Sequence, residues 1–222
     1  MSGSGYPAGN LAEYLIVAAS AAVIGGYHVL FFYQTRRTPG RTVIGSAHAR
    51  RAVWVDRMIA RGDGILAIQT LRNWMMSATY LASTAILIAA GLLGFLVSVD
   101  KLSVLVQELN VFGSPDDALL TLKMVALIAN FFAAFFNFTL SLRFYNYVAL
   151  DIGALDQSAT AGDRMELAGH LNRAAAHYTW GMRGYYLCVP LALWVLGPLW
   201  LLAGSILTTV ALYRHDHAVG HR

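Results

Sequence analysis

Charge is what this chain has least of. Only 13% of its 222 residues are Asp, Glu, Lys or Arg, against 57% that are hydrophobic. A soluble globular domain carries about 25% charged residues, so the supply here is too thin to coat a water-exposed surface of this size. Most apolar side chains therefore face something other than water. Cysteine is nearly missing too. The single Cys188 lies in an apolar run, which rules out a disulfide framework or a thiolate metal site within one chain. No low-complexity segment or internal repeat is visible, and no nucleotide-binding loop, zinc-protease helix or nucleophile elbow occurs. The carboxylates fall mostly between the apolar runs, with no pair at depth. The sequence thus offers no catalytic candidate and calls for no cofactor.

What is abundant is uninterrupted apolar sequence. Four runs, 11–33, 73–99, 118–142 and 185–213, each exceed the ~20 residues that a helix needs to cross ~30 Å of hydrocarbon. A backbone in lipid must satisfy its own hydrogen bonds, so these runs are helices. The expectation is an all-α integral membrane protein, with residues 1–222 forming one membrane domain of four transmembrane helices. Ser114, Pro115, Asp116 and Asp117 supply a start signal for the third helix. In the fourth, Pro190 and Gly197-Pro198 read as kinks within one span.

The basic residues orient the bundle. Arg36, Arg37, Arg41, Arg50, Arg51, Arg57, Arg61 and Arg72 fall in the first connection, and Arg143, Arg164, Arg173 and Arg183 in the third. The second connection has only Lys101, beside Asp100, Glu108, Asp116 and Asp117. Under the positive-inside rule, segments 34–72 and 143–184 are cytoplasmic and both termini lie outside, across a bacterial inner membrane. The basic excess then needs no nucleic acid to explain it, and membrane lipid is the expected partner. Ala19-Ser20-Ala21 resembles a cleavage site, but the first ten residues carry no Lys or Arg, so a retained first helix is the better reading. The two cytoplasmic segments are too long for bare loops. Ser46–Arg61 sets Arg50, Arg57 and Arg61 opposite Ala52, Val55 and Ile59, the pattern of an amphipathic helix lying on the membrane or under a neighbouring subunit, and Asp163–Trp180 reads similarly. Small residues at four-residue spacing, Ala18, Ala22 and Gly26, then Ala90 and Gly94, suggest close helix packing, inside the bundle first or else at a subunit interface.

Polar groups are costly in hydrocarbon, and they are unevenly placed here. His28 ends the first helix; Gln69, Arg72 and Asn73 open the second; Asn130, Asn137, Arg143 and Asn146 mark the third; His177 and Arg183 open the fourth. In a compact bundle, His28, Gln69, Arg72, Asn73, Asn137, Arg143, Asn146, His177 and Arg183 gather at the cytoplasmic ends as a site for an anion or small polar solute. Taken singly, Arg72, Arg143 and Arg183 read as snorkelling anchors, and the asparagines as interhelical glue. His28 and His177 raise bis-histidine haem ligation, and His215, His217 and His221 a metal-binding tail; the sequence alone leaves any metal unknown.

Read in order, Gly26-Tyr27-His28, Thr42-Val43-Ile44-Gly45, Arg50-Arg51-Ala52-Val53-Trp54-Val55, Ala67-Ile68-Gln69-Thr70-Leu71-Arg72-Asn73, Ser83-Thr84-Ala85-Ile86 and Arg143-Phe144-Tyr145-Asn146 form a series. It is completed by Gly181, Arg183, Tyr185, Tyr186, Trp194 and Gly197-Pro198. In these strings the chain resembles the DUF599 family of four-helix membrane proteins of unknown function. The resemblance implies four helices and no particular reaction. The leading functional expectation is a channel- or transporter-like homo-oligomer. A scaffold or accessory subunit of a larger membrane complex, or a lipid-binding organiser, is the alternative, and a haem or quinone redox protein the third.

Overall fold

Among the described residues, three of the four apolar runs fold as unbroken helices; the fourth does not. The computed structural model describes residues 7–38, 40, 42–96 and 117–217. Among them lie six helices and no strand: α1 (Pro7–Arg37), α2 (Val43–Arg61), α3 (Gly64–Leu96), α4 (Asp117–Ala154), α5 (Ala161–Leu196) and α6 (Pro198–Asp216). Leu11–Arg37, Gly64–Leu96 and Ala118–Ala154 are long and apolar enough to cross a bilayer. Their outward faces carry large apolar side chains such as Tyr14, Leu87 and Phe136, which suits lipid and not water. The expected cap at Ser114 and Pro115, the connection with Asp100, Lys101, Glu108 and Asp116, and His221 lie outside the described residues.

The fourth run was expected to be one span over 185–213. It breaks at Gly197, whose φ of 143° and ψ of 164° end α5, and Pro198 starts α6. Proline there can neither donate to the preceding turn nor fit beside its carbonyl, and glycine tolerates the φ that the reversal needs. The chain then folds back on itself. A Cβ built on Gly204 would lie 3.0 Å from Pro190 Cα and 2.8 Å from Leu193 Cδ1, so the two arms touch backbone to backbone. The described C-terminal end therefore sits beside the basic end of α1, where His217 Nε2 and Gln34 Oε1 are 3.0 Å apart. It does not share an end with the N-terminus, as one continuous span would require.

The expected boundaries at 142 and 185 also move. α4 has 38 residues, about 57 Å at 1.5 Å per residue, nearly twice the ~30 Å of hydrocarbon. No proline interrupts 143–184, so α4 and α5 run on, beyond the length a bilayer requires, as one antiparallel pair. Only 155–160 separates them, closed by Asp156 accepting from Ser158 and restarted by a Thr160–Asp163 capping box. The expected amphipathic segment Asp163–Trp180 is the first half of α5. The pair is tight: a Cβ on Gly181 would meet the Phe138 ring at 2.7 Å, and one on Gly184 would meet Ala134 Cβ at 3.0 Å.

The amphipathic helix expected over Ser46–Arg61 is α2, capped by Thr42 and closed at Gly62 with φ 69°. Its apolar side does not lie on lipid. Val55 and Ile59 pack with Leu167, Leu171 and Tyr145 of the same chain, so both arginine-rich segments share one end of the bundle. The small-residue contact is displaced as well. Gly26 and Gly94 meet nothing within 4 Å, and Ala18, Ala22 and Ala90 are exposed. The buried stripe is instead Ala78, Ala82, Ala85 and Ala89 of α3, against Leu127, Phe131, Ala134 and Phe138 of α4.

Candidate functional site

Arg183 is buried in the second half of α5, and the returning α6 supplies its counter-charge. Its Nη2 donates to Asp216 Oδ2 at 2.6 Å, and the Tyr27 hydroxyl of α1 donates to the same oxygen at 2.6 Å. The guanidinium also lies 4.4 Å from the centroid of Phe31, a cation–π contact strengthened by desolvation. One carboxylate thus ties three helices together. Arg183 is only 3% exposed, yet its Nε and Nη1 are buried with no hydrogen-bond partner. His28 is in the same condition. Its Nδ1 lies 2.8 Å from the Ile24 carbonyl, which can only accept, so Nδ1 carries a proton; Nε2 is buried without a partner.

Both residues line a groove of about 670 Å³ between α1 on one side and α4 and α5 on the other. α1 packs along α6 and stands off from α4, which leaves the space. The gap is bridged at one end by Lys123 Nζ and Glu13 Oε1, 3.6 Å apart and both buried, under the Trp194 ring. From that end the lining changes character. Ile24 and Leu187 come first, then His28, Asn130, Asn137 and Arg183, and finally Trp180 and Arg36 at the basic end. Asn130 Nδ2 donates to the Gly184 carbonyl at 2.8 Å. Asn137 donates to Ala133 and lies 3.2 Å from His177 Nδ1, whose ring stacks on Phe144.

Of the residues expected to gather, the structure brings together His28, Asn137 and Arg183, with His177 behind Asn137. It does not bring in the others. Gln69, Arg72 and Asn73 are exposed on α3, and Arg143 and Asn146 on α4, where Arg143 Nε donates to the neighbouring Tyr147 hydroxyl. The reason is helical phase. Leu71 and Trp74, not their neighbours 72 and 73, turn toward Tyr145 of α4. His28 and His177 are held by separate partners, and among the described residues no group of three metal-ligating side chains forms. The sequence reading missed Asp216, Glu13 and Lys123, and had Tyr27 only as a polar end of the first helix in the Gly26-Tyr27-His28 string. Asp216 looked like part of an outer tail because the return of α6 was not recognised. Glu13 and Lys123 did leave a signal, as charges inside apolar runs.

The fold and this groove define a membrane protein, helical throughout its described residues, with a mainly apolar cleft into which a few polar side chains are set. A family model described as "Protein of unknown function, DUF599" matches residues 15–220, and the chain belongs to that family. No curated protein and no solved structure matches it.

Proposed function

We propose that this protein binds a membrane amphiphile in the α1–α4–α5 groove, with an anionic oxygen of its head against Arg183, a hydroxyl of the same head against His28, and its apolar part along Ile24 and Leu187. One observation carries the reading. Arg183 Nε, Arg183 Nη1 and His28 Nε2 are buried and unpartnered in residues that line the groove. Each such group forfeits about 1–3 kcal/mol when left unsatisfied; a head with acceptor oxygens for the two guanidinium N–H groups and a hydroxyl donor for His28 Nε2 would recover it. The gradient from apolar to basic lining matches an amphiphile whose head points to the arginine-rich end. By the positive-inside rule that end is cytoplasmic, which puts the N-terminal end outside and the end of α6 inside.

A Cβ at Gly25 or at Gly26 meets nothing within 4 Å, but only Gly25 lines the groove. Gly25→Phe should therefore fill the cleft, with Gly26→Phe as its control. Native mass spectrometry of the purified protein should show a co-purified lipid that the first variant loses and the second keeps. Equal retention by both variants would falsify the reading. Passage of an anion between copies in a homo-oligomer has weaker support. It draws on the exposed set Gln69, Arg72, Asn73, Arg143 and Asn146, which no contact arranges around an axis. A role as accessory subunit would use the same faces.

A further inference from the structure

A second pocket, of about 290 Å³, lies where α2 meets the bundle and shares no lining residue with the groove. Its walls are Arg51 of α2, Trp74 and Ser77 of α3, Tyr145 of α4, and Tyr178 and Thr179 of α5. Trp74 is in ring contact with both Trp54 and Tyr145, at 6.0 and 5.9 Å, which builds an aromatic side.

Arg51 is unlike the other buried cations. Lys123 has Glu13, and Arg183 has Asp216. Arg51 is half-buried, and among the described residues no carboxylate pairs with it; its Nη1 donates to the neutral Asn172 Oδ1 at 2.6 Å. Burial lowers its pKa from the usual value, and Arg50 beside it adds a like charge. Ser77 and Thr179 donate their hydroxyl protons to carbonyls of their own helices, Asn73 and Ala175. The Tyr145 hydroxyl is taken up by Ser141, so the groups left to meet a ligand are the remaining guanidinium N–H groups and the Tyr178 hydroxyl. Such a set asks for acceptors and negative charge. A cation would be repelled, and a neutral carbonyl would leave the charge uncompensated.

We infer that this pocket binds a phosphate-type oxyanion, with Arg51 as its charge partner and Tyr178 as a second donor. The anion comes either from the headgroup of an anionic phospholipid or from free phosphate. The position of the pocket on a basic amphipathic helix suits both.

The full chain, purified in a maltoside detergent, separates the two sources. Thermal unfolding is followed with added inorganic phosphate, and native mass spectrometry is run with phosphatidylglycerol against phosphatidylcholine. Saturable stabilisation by phosphate identifies the free anion; selective retention of phosphatidylglycerol without a phosphate effect identifies the headgroup. In either case Arg51→Gln should weaken the effective probe about tenfold or more, the scale of a lost charge-assisted hydrogen bond. Arg50→Gln, an exposed charge on the same helix, should leave it near wild type. Tyr178→Phe, which removes one oxygen, should weaken it less and keeps the test valid where Arg51→Gln fails to fold. The inference is overturned if neither probe binds, if Arg51→Gln and Tyr178→Phe bind like wild type, or if Arg50→Gln loses as much as Arg51→Gln.

Discussion

Arg183 and Asp216 meet at 2.6 Å across the open end of the α5–α6 hairpin, with both side chains almost wholly buried. Removing one partner strands the other charge, which costs about 3–5 kcal/mol in buried pairs, whereas apolar replacement of both is often neutral. Asp216→Ala should therefore destabilise strongly, and Arg183→Met likewise. Arg183→Met with Asp216→Leu should be milder than either single change. Unfolding in detergent, read as a double-mutant cycle, measures this coupling. Additive losses would show that the pair does not hold the hairpin.

At Gly181, α5 packs directly on an aromatic ring of α4. Phe138 is fully buried and its ring lies 2.7 Å from where a Cβ at 181 would be. A rigid ring has no flexible end to move aside, so Gly181→Ala should lower stability by about 1–3 kcal/mol, the usual range for overpacking. Phe138→Leu in the same chain should recover part of that loss. The check is thermal unfolding of the two singles and the double. Gly25→Ala, placed in open space, should change little.

His48 of α2 gives stability a pH dependence. The residue is exposed, but partial desolvation of its ring first, and Arg51 second, hold its pKa below the usual value near 6.5. The unfolded chain then binds the proton before the folded one does. Stability is complete above about pH 6.5 and falls as pH drops through that value toward the lower folded pKa. His48→Gln should flatten that slope. In Arg51→Gln the His48 imidazole should titrate closer to the usual value but still below it, because desolvation is the larger cause. NMR of the imidazole resonances reads both outcomes; a His48 that titrates normally in the wild type would remove the basis for the slope.

The apolar runs made the helical membrane fold legible, because length and hydropathy are local quantities. Helix α2 was legible for the same reason, since Val55 and Ile59 recur at helical spacing opposite Arg50, Arg57 and Arg61. What periodicity could not supply was the meaning of Gly197-Pro198. A proline in a transmembrane helix either kinks it or ends it. The choice rests on whether the returning arm finds a partner, here Gly204 against Pro190 and Asp216 against Arg183. The candidate site was half legible for a related reason. His28, Asn137 and Arg183 do converge, but Arg72 and Arg143 lie on outward faces, near the level where Leu71 packs with Tyr145 and not where Gly181 meets Phe138. Neither the overrun of α4 and α5 past 142 and 185 nor the helical phase is a local quantity, since both depend on which neighbour wins the contact.

The return of α6 makes a topological claim that labelling can decide. Arg57 of α2 and Arg214 near the end of α6 are both exposed, as is Leu11 near the start of α1. With Cys188 replaced by Ala, single variants Leu11→Cys, Arg57→Cys and Arg214→Cys can be treated with an impermeant maleimide on intact cells and on inverted vesicles. A hairpin at Gly197 makes positions 57 and 214 react from one side and position 11 from the other. A continuous span over 185–213 would pair 214 with 11 instead. In that case Asp216 could not reach Arg183, Tyr27 would lose its acceptor, and the wall of the groove that holds the unpartnered guanidinium N–H groups would not form.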